Sequence, residues 1–493
     1  MNFLLAAATA VLLILSFPRF DFAWLAPLAL TPLLIALARE RRPLHWFLLG
    51  EFCGIIYWGG VCYWIQSVLA DHAGITAGVA WAAFALFCVT KAIHLGLFAC
   101  AAGLLIRRPW AVAGVAAVWV AIEVTHGSLG FAWLTLGNAG IGMSVPMRLA
   151  PYTGVYGISF CFAMLSAALA VSILRRPRRQ LLWLILLAPI AVLPRLPDAQ
   201  RGERTAVLVQ PRISEAETWT PAFVNKVQRG LVYLSMQAVL TEKQPPDLVV
   251  WPEAPAPLYD DDPRFREVAA TLAREAKTYL LAGVVGHTPK GEPLNSAMMV
   301  GPAGEPLGRY DKVNLVPFGE FVPWPFGFIR KISSEAGDFQ PGSKIVIFPV
   351  EGHTVAAFIC YESVFPDFVR RFAAGGAELL INISNDGWYG ASSARWQHLK
   401  IVRMRAAENR RWLLRATNDG ITATIDPAGR VLGTLPNFTE AASRTGFSYI
   451  AQTTLYTRWG DWFPLLCALA SALMLGWEWR TRRAATSEAR RSS

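Results

Sequence analysis

The sequence predicts two fold classes in one chain: a multi-pass α-helical membrane domain of about eight spans, and an α/β domain exported across that membrane. Three observations carry this. Hydrophobic residues make up 54% of the 493 positions against 16% charged, the balance of a membrane protein. The apolar excess fills roughly the first two-fifths and one short C-terminal piece, in segments near bilayer length. Between Pro197 and Tyr456 the composition is that of a soluble domain, with strand-like runs and amphipathic helical segments. The expected organisation is a membrane domain over 1–197, an exported α/β domain over 198–455, and a C-terminal span with a basic cytoplasmic tail over 456–493.

Seven apolar segments precede the polar region, at 3–17, 22–38, 46–70, 75–106, 110–124, 155–174 and 181–193, and an eighth lies at 463–479. The first lacks a basic leader and a small-residue cleavage site, so it is read as a retained helix. Lys and Arg in short loops stay on the cytoplasmic side. Arg39, Arg41 and Arg42 follow the second segment, Arg107 and Arg108 the fourth, and Arg175, Arg176, Arg178 and Arg179 the sixth. The intervening loops carry little positive charge, Arg19 and Arg148 apart, which puts the polar domain on the outer side of the inner membrane. These anchors account for much of the net charge of +11. No basic face interleaved with aromatics marks a nucleic-acid surface.

Within the exported domain, strands are expected at 206–209, 248–251, 279–284, 298–300, 355–360 and 379–383, with helices at 264–277 and 366–374. Phe265, Val268 and Leu272 share one face of the first helix. The segment 316–327 is broken by proline and glycine and rich in aromatics, as expected of a loop that dips into lipid, covers an acyl chain or packs on its own domain.

Cys360 is the only cysteine between Pro197 and Tyr456, and it closes an apolar strand-like run. A lone thiol at a strand end suggests a nucleophile presented to a pocket. Such a thiol needs a base, and Glu253 in Trp251-Pro-Glu253 follows another strand. A tetrahedral intermediate carries negative charge on oxygen, and Lys312 in Tyr310-Asp-Lys312 supplies a cation.

These three segments, in this order and at these separations, resemble the Glu-Lys-Cys set of the nitrilase superfamily. Lys312-Val-Asn-Leu-Val-Pro-Phe-Gly-Glu-Phe-Val-Pro323, Asn382-Ile-Ser-Asn-Asp-Gly-Trp388, Trp396-Gln-His398, Arg403-Met-Arg405, Arg415-Ala-Thr-Asn-Asp-Gly420 and Gly154-Val-Tyr-Gly-Ile-Ser-Phe160 resemble one membrane-bound branch, the bacterial apolipoprotein N-acyltransferases. The resemblance implies an αββα sandwich on a membrane base. It implies Cys360 as nucleophile, Glu253 as general base, Lys312 as oxyanion stabiliser and Glu320 as an orienting carboxylate. It also implies Trp219, Tyr361, Glu362 and Trp388 as substrate-binding positions. The implied partners are membrane lipid, a phospholipid acyl donor and a diacylglyceryl apolipoprotein acceptor, with no metal or organic cofactor. One departure stands out: Gln210-Pro-Arg212 replaces a pattern in which relatives commonly carry asparagine at the third position.

Three rivals follow from the same residues. A Cys-His enzyme would need His353, which an unbroken strand puts on the face opposite Cys360, or His398, which only the fold can bring near; a structural part is expected of His398. A membrane-tethered nitrilase or amidase would use the same Glu253, Lys312 and Cys360 but release acid to water. A transporter or binding protein would carry an inactive domain, with Glu51 and Glu123 as its main intramembrane acids. No His or Cys pair shows metal-ligand spacing.

Overall fold

The structure, a computed structural model, describes residues 1–72, 75–199, 201–214, 217–321 and 339–491. The second half of the aromatic segment at 316–327 lies outside the described residues. The chain divides into two compact units, one of Met1–Ile65, Trp81–Leu196 and Trp459–Ser493, the other of Gln66–Ala80 and Pro197–Arg458.

The first unit is helical. Among the described residues, three helices are long and apolar enough to cross a membrane: Ala77–Leu105, Val155–Ile173 and Trp462–Arg482. The apolar segment at 46–70 is not one straight helix, because Pro43–Val61 and Trp64–Asp71 meet at a 58° bend. Shorter apolar helices occupy Asn2–Leu15, Ala23–Arg39 and Ala111–His126. The segment at 181–193 departs most from expectation. It forms a 3-10 helix, Arg178–Leu187, followed by a single turn, Pro189–Val192. A 3-10 helix rises about 2.0 Å per residue, so this short piece still extends about 26 Å. Pro43–Val61 packs against Ala77–Leu105 through Gly50 and Gly54, where an added Cβ would come within 2.2 Å of the Leu95 carbonyl oxygen and 2.7 Å of the Ala92 Cβ. Small residues four apart permit this backbone approach.

The second unit contains two six-stranded sheets. The first has the order β12 (Ala441–Phe447), β1 (Arg204–Gln210), β2 (Leu248–Val250), β3 (Tyr279–His287), β4 (Pro293–Val300), β5 (Pro306–Asp311). The second runs β11 (Val431–Thr434), β10 (Ala423–Ile425), β9 (Trp412–Thr417), β8 (Leu379–Ser384), β7 (His353–Ile359), β6 (Phe348–Val350). β1, β2 and β3 are parallel, as are β7, β8 and β9, while the flanking strands are antiparallel. Helices Pro221–Val239 and Pro263–Ala276 cover the first sheet, burying Leu231, Leu234, Phe265 and Leu272 against Val207, Val249, Trp251 and Leu280. Helices Pro366–Ala374 and Ala394–Asn409 pack on the second, and the inner faces of the sheets meet. The result is the αββα sandwich that the resemblance implied.

All six expected strands are present, with limits shifted by a few residues. β7 stops at Ile359, and Cys360 opens a 3-10 turn, Cys360–Val364. Both predicted helices are present, as Pro263–Ala276 and Pro366–Ala374.

Candidate active site

The carboxyl ends of parallel strands are where open α/β sheets place ligands, and β2, β7 and β8 each deliver a polar group there. β2 leads into Glu253, β7 into Cys360, and β8 into Asn385 and Asp386. Lys312 follows antiparallel β5 directly.

Glu253 and Lys312 are 6% and 1% exposed. Lys312 Nζ donates to Glu253 Oε1 at 3.0 Å and to Glu320 Oε1 at 2.9 Å. Asn295 Nδ2, on β4, donates to the same two oxygens at 2.8 and 2.7 Å. The backbone N–H of Asn385 donates to Glu253 Oε2 at 2.7 Å, and that of Val316 to Glu320 Oε2 at 2.7 Å. Two carboxylates thus share two donors, of which one carries charge. Burial pushes the Lys312 ammonium down, but Glu253, Glu320 and the Cys360 sulfur reverse this and hold it well above the usual lysine range.

Cys360 is buried with φ at +49°, in the left-handed region that non-glycine residues seldom occupy. A residue held there departs from the strand direction and turns its side chain away from the β7 pleat, a strained arrangement typical of functional sites. Burial pushes the Cys360 thiol up, Glu253 pushes it further, and Lys312 pulls it back only in part. The Cys360 sulfur therefore rests as a protonated thiol.

Glu362 is fully buried. Its Oε1 accepts from Tyr310 Oη and Val313 N at 2.7 Å and from Asn314 N at 3.1 Å, and its Oε2 accepts from Ile359 N at 2.7 Å. Burial pushes this carboxyl up to about 7, against donors that pull it down. With protein donors on both oxygens, Glu362 ties the segment after Lys312 to the turn at Cys360. Tyr361 is 3% exposed, its ring edge-on to Phe365. Trp388 is half-buried, and Trp219 is exposed and lies against Phe223.

Beneath Cys360 lies a network around His398, of which a structural part was expected but whose partners the sequence did not announce. His398 Nδ1 is 2.9 Å from Asp386 Oδ1, and its Nε2 lies 2.8 Å from Ser363 Oγ and 3.2 Å from the Cys360 carbonyl oxygen. Arg415 Nη2 donates to Asp386 Oδ2 at 2.6 Å, and Arg415 also reaches Asn382. Burial and Arg415 push the His398 ring down, so it is neutral. Burial alone would push Asp386 up; Arg415 and His398 hold it well below the usual carboxylate range. Ligand-capable atoms of Cys360, Asp386 and His398 lie within 4.8 Å of one another, a grouping that linear spacing did not announce. Both Asp386 oxygens and both ring nitrogens already have protein partners, so the three groups form a hydrogen-bonded support. His353 pairs with Glu378 and stacks on Tyr449, with ring centroids 4.0 Å apart.

Arg415→Met should leave the Asp386 charge buried and half-paired. The expected cost is about 3–5 kcal/mol, read as a lower Tm at pH 7. Because Asp386 is held low, the stability it contributes is present above the ordinary aspartate pKa and lost only as pH falls toward the folded value. The Tm difference between variant and parent should therefore shrink in strong acid.

A buried Cys-Glu-Lys constellation on an αββα sandwich defines a carbon-nitrogen hydrolase type of domain. The carbon-nitrogen hydrolase family matches residues 208–452, and the apolipoprotein N-acyltransferase N-terminal domain matches residues 9–168. Apolipoprotein N-acyltransferase of Geobacter metallireducens is 33% identical over 98% of this chain and 96% of its own length. Those of Azotobacter vinelandii and Pseudomonas putida are 35% and 32% identical over 98% and 96% of this chain, and 95% of their own lengths. Among solved structures, a carbon-nitrogen hydrolase from Helicobacter pylori G27 is 18% identical, covering 49% of this chain and 88% of its own, with a TM-score of 0.38. The chain belongs to the apolipoprotein N-acyltransferase family.

Proposed function

We propose that this protein transfers an acyl chain from a phospholipid, through a thioester on Cys360, to the α-amine of the diacylglyceryl-cysteine of apolipoproteins, the last step of lipoprotein maturation. The observation that carries the chemistry is the dry cluster of Glu253, Lys312, Glu320 and Asn295 at the strand ends beside a left-handed Cys360. Cys360 Sγ attacks the ester carbonyl as Glu253 takes its proton, and the Lys312 ammonium stabilises the oxyanion. The lysophospholipid alkoxide leaves with the proton from Glu253. The lipoprotein amine, deprotonated through Glu253, then attacks the thioester, forming the amide and returning the thiol.

The remaining roles belong to this reading. Glu320 orients Lys312 and Glu253, Glu362 positions the turn at Cys360, and Tyr361, Trp388 and Trp219 meet the lipid or peptide. Residues 1–197 and 456–493 hold the chain in the bacterial inner membrane through eight crossings, with 198–455 on the periplasmic side. The outward apolar surfaces support insertion: only 22% of the Trp462–Arg482 window is buried within the protein, a face that water would penalise.

The test is product partition. Detergent-solubilised protein given dipalmitoyl phosphatidylethanolamine and a diacylglyceryl-cysteine peptide should yield N-acylated peptide and lysophospholipid in equal amounts. Free fatty acid in place of acylated peptide would assign a hydrolase and reject the transferase.

A further inference from the structure

The helical unit holds a second polar cluster that acyl transfer does not use. Lys91, midway along Ala77–Leu105, is 3% exposed, and its Nζ has no hydrogen-bond partner. It stands 5.2 Å from the centroid of the Trp58 ring, whose Nε1 is also buried and unpartnered. The His126 ring lies 5.8 Å from that of Trp58, and His126 Nδ1 is a third buried nitrogen with no partner. His94 completes the group, 4.7 Å from His126 by ring centroids, with its Nδ1 against the Lys91 carbonyl oxygen at 3.3 Å. On one side stands Gly130, at φ +148°. A Cβ there would sit 3.7 Å from Lys91 Nζ and 3.9 Å from His94 Cε1, so glycine keeps the space beside the ammonium open.

No carboxylate answers this charge among the described residues. Glu123, on the helix that leads to His126, accepts the Leu136 N–H at 2.7 Å and Trp119 Nε1 at 3.1 Å on its Oε1, while its Oε2 is buried without a partner. Glu51 lies two turns before Trp58 on the Pro43–Val61 helix. A buried ammonium that meets only the face of the Trp58 ring, with an indole N–H and an imidazole nitrogen nearby and none of the three hydrogen-bonded among the described residues, calls for an anion. Trp58, Lys91 and His126 each lie about 21–23 Å along their helices from the ends next to the basic loops, at 1.5 Å per residue. In the orientation read from those loops, the cluster sits toward the outer leaflet of a core about 30 Å thick.

We propose that Lys91, Trp58 and His126 form a buried anion site that takes a phosphate oxyanion, supplied by a phospholipid headgroup or by free phosphate. A phosphate oxyanion suits it because it offers several acceptor oxygens to three unpartnered nitrogens, one of which carries a point charge. The site is independent of the chemistry at Cys360.

The test uses full-length Cys360→Ala protein, which cannot form an acyl-enzyme, in maltoside detergent and phosphate-free buffer. Calorimetric titration with dihexanoyl phosphatidylglycerol, dihexanoylglycerol and inorganic phosphate separates the sources. Binding of the phospholipid alone assigns a headgroup, and comparable binding of phosphate assigns the free anion; dihexanoylglycerol should not bind the cluster. Lys91→Met should weaken the phosphate-bearing probe by about 10-fold or more, while the ligand-free variant matches or exceeds the parent in Tm, having lost a buried unpaired charge. Trp58→Phe, which keeps the ring and removes the donor, should weaken it by a smaller factor and serves as the measure if Lys91→Met fails to fold. Unchanged affinity in the folded variants, equal binding of dihexanoylglycerol, or no binding of either phosphate-bearing probe would overturn the proposal. None of these outcomes bears on acylation of Cys360, which is read in protein that retains the thiol.

Discussion

Glu253→Gln is expected to slow acyl-enzyme formation by about 10²–10⁴-fold without slowing alkylation of Cys360 by iodoacetamide. The two readings diverge because Glu253 acts on the thiol in opposite ways. Its negative charge raises the Cys360 pKa, so removing that charge lowers the pKa and increases the thiolate fraction at pH 8. Alkylation needs only thiolate and should hold or rise. Attack on an ester couples sulfur–carbon bond formation to proton removal, and the amide cannot take the proton. The amide also meets the Asn385 N–H, 2.7 Å from Oε2, with poorer acceptor capacity. Single-turnover release of lysophospholipid gives one rate and mass-shift labelling the other. A parallel fall in both would mean a collapsed site, and normal acylation would remove Glu253 from the proton path.

Lys312→Met should combine a loss of acylation of about 10²–10³-fold, typical for a missing oxyanion donor, with about 3–5 kcal/mol of instability. Methionine fills similar volume but leaves Glu253 and Glu320 facing one another across the Asn295 amide, both buried and short of a counter-charge. One of two like charges in a dry site is driven to protonate, which raises its pKa. The sign follows: the variant is penalised most above that raised value, and the penalty fades as pH falls through it. Thermal unfolding at pH 8 and pH 5 should show a smaller Tm difference from the parent at the lower pH. A constant difference would mean that the carboxylates are not the source of the instability.

The difference between what could and could not be foreseen has a physical origin. Cys360, Glu253 and Lys312 were visible because each is a reactive group beside an apolar run or a proline-rich segment, and runs of buried residues are what periodicity detects. Asn295 was not. It sits inside β4 with Ser296, and two polar residues hid the first half of a strand that begins at Pro293. β9 was hidden in the same way by Arg415, a charge in the middle of a buried strand that is acceptable only because Asp386 and Asn382 meet it from β8 and the turn beyond. β11 and β12 are largely exposed or half-exposed, so alternation there is weak. A structural part was expected of His398, but not its partner, since a separation of twelve positions from Asp386 says nothing of a 2.9 Å contact. In the helical unit, segment composition was a good guide to helices and a poor one to the bend near Val61 and the 3-10 geometry at 178–187.

The central claim is that Cys360 carries the acyl group between donor and acceptor. Intact mass of the full chain after incubation with dipalmitoyl phosphatidylethanolamine tests it directly, followed by addition of a diacylglyceryl-cysteine peptide. A single palmitoyl adduct that maps to Cys360, is absent from Cys360→Ala and moves to the peptide amine is the predicted result. An adduct on another residue, or N-acylated peptide formed by Cys360→Ala at the parental rate, would contradict it.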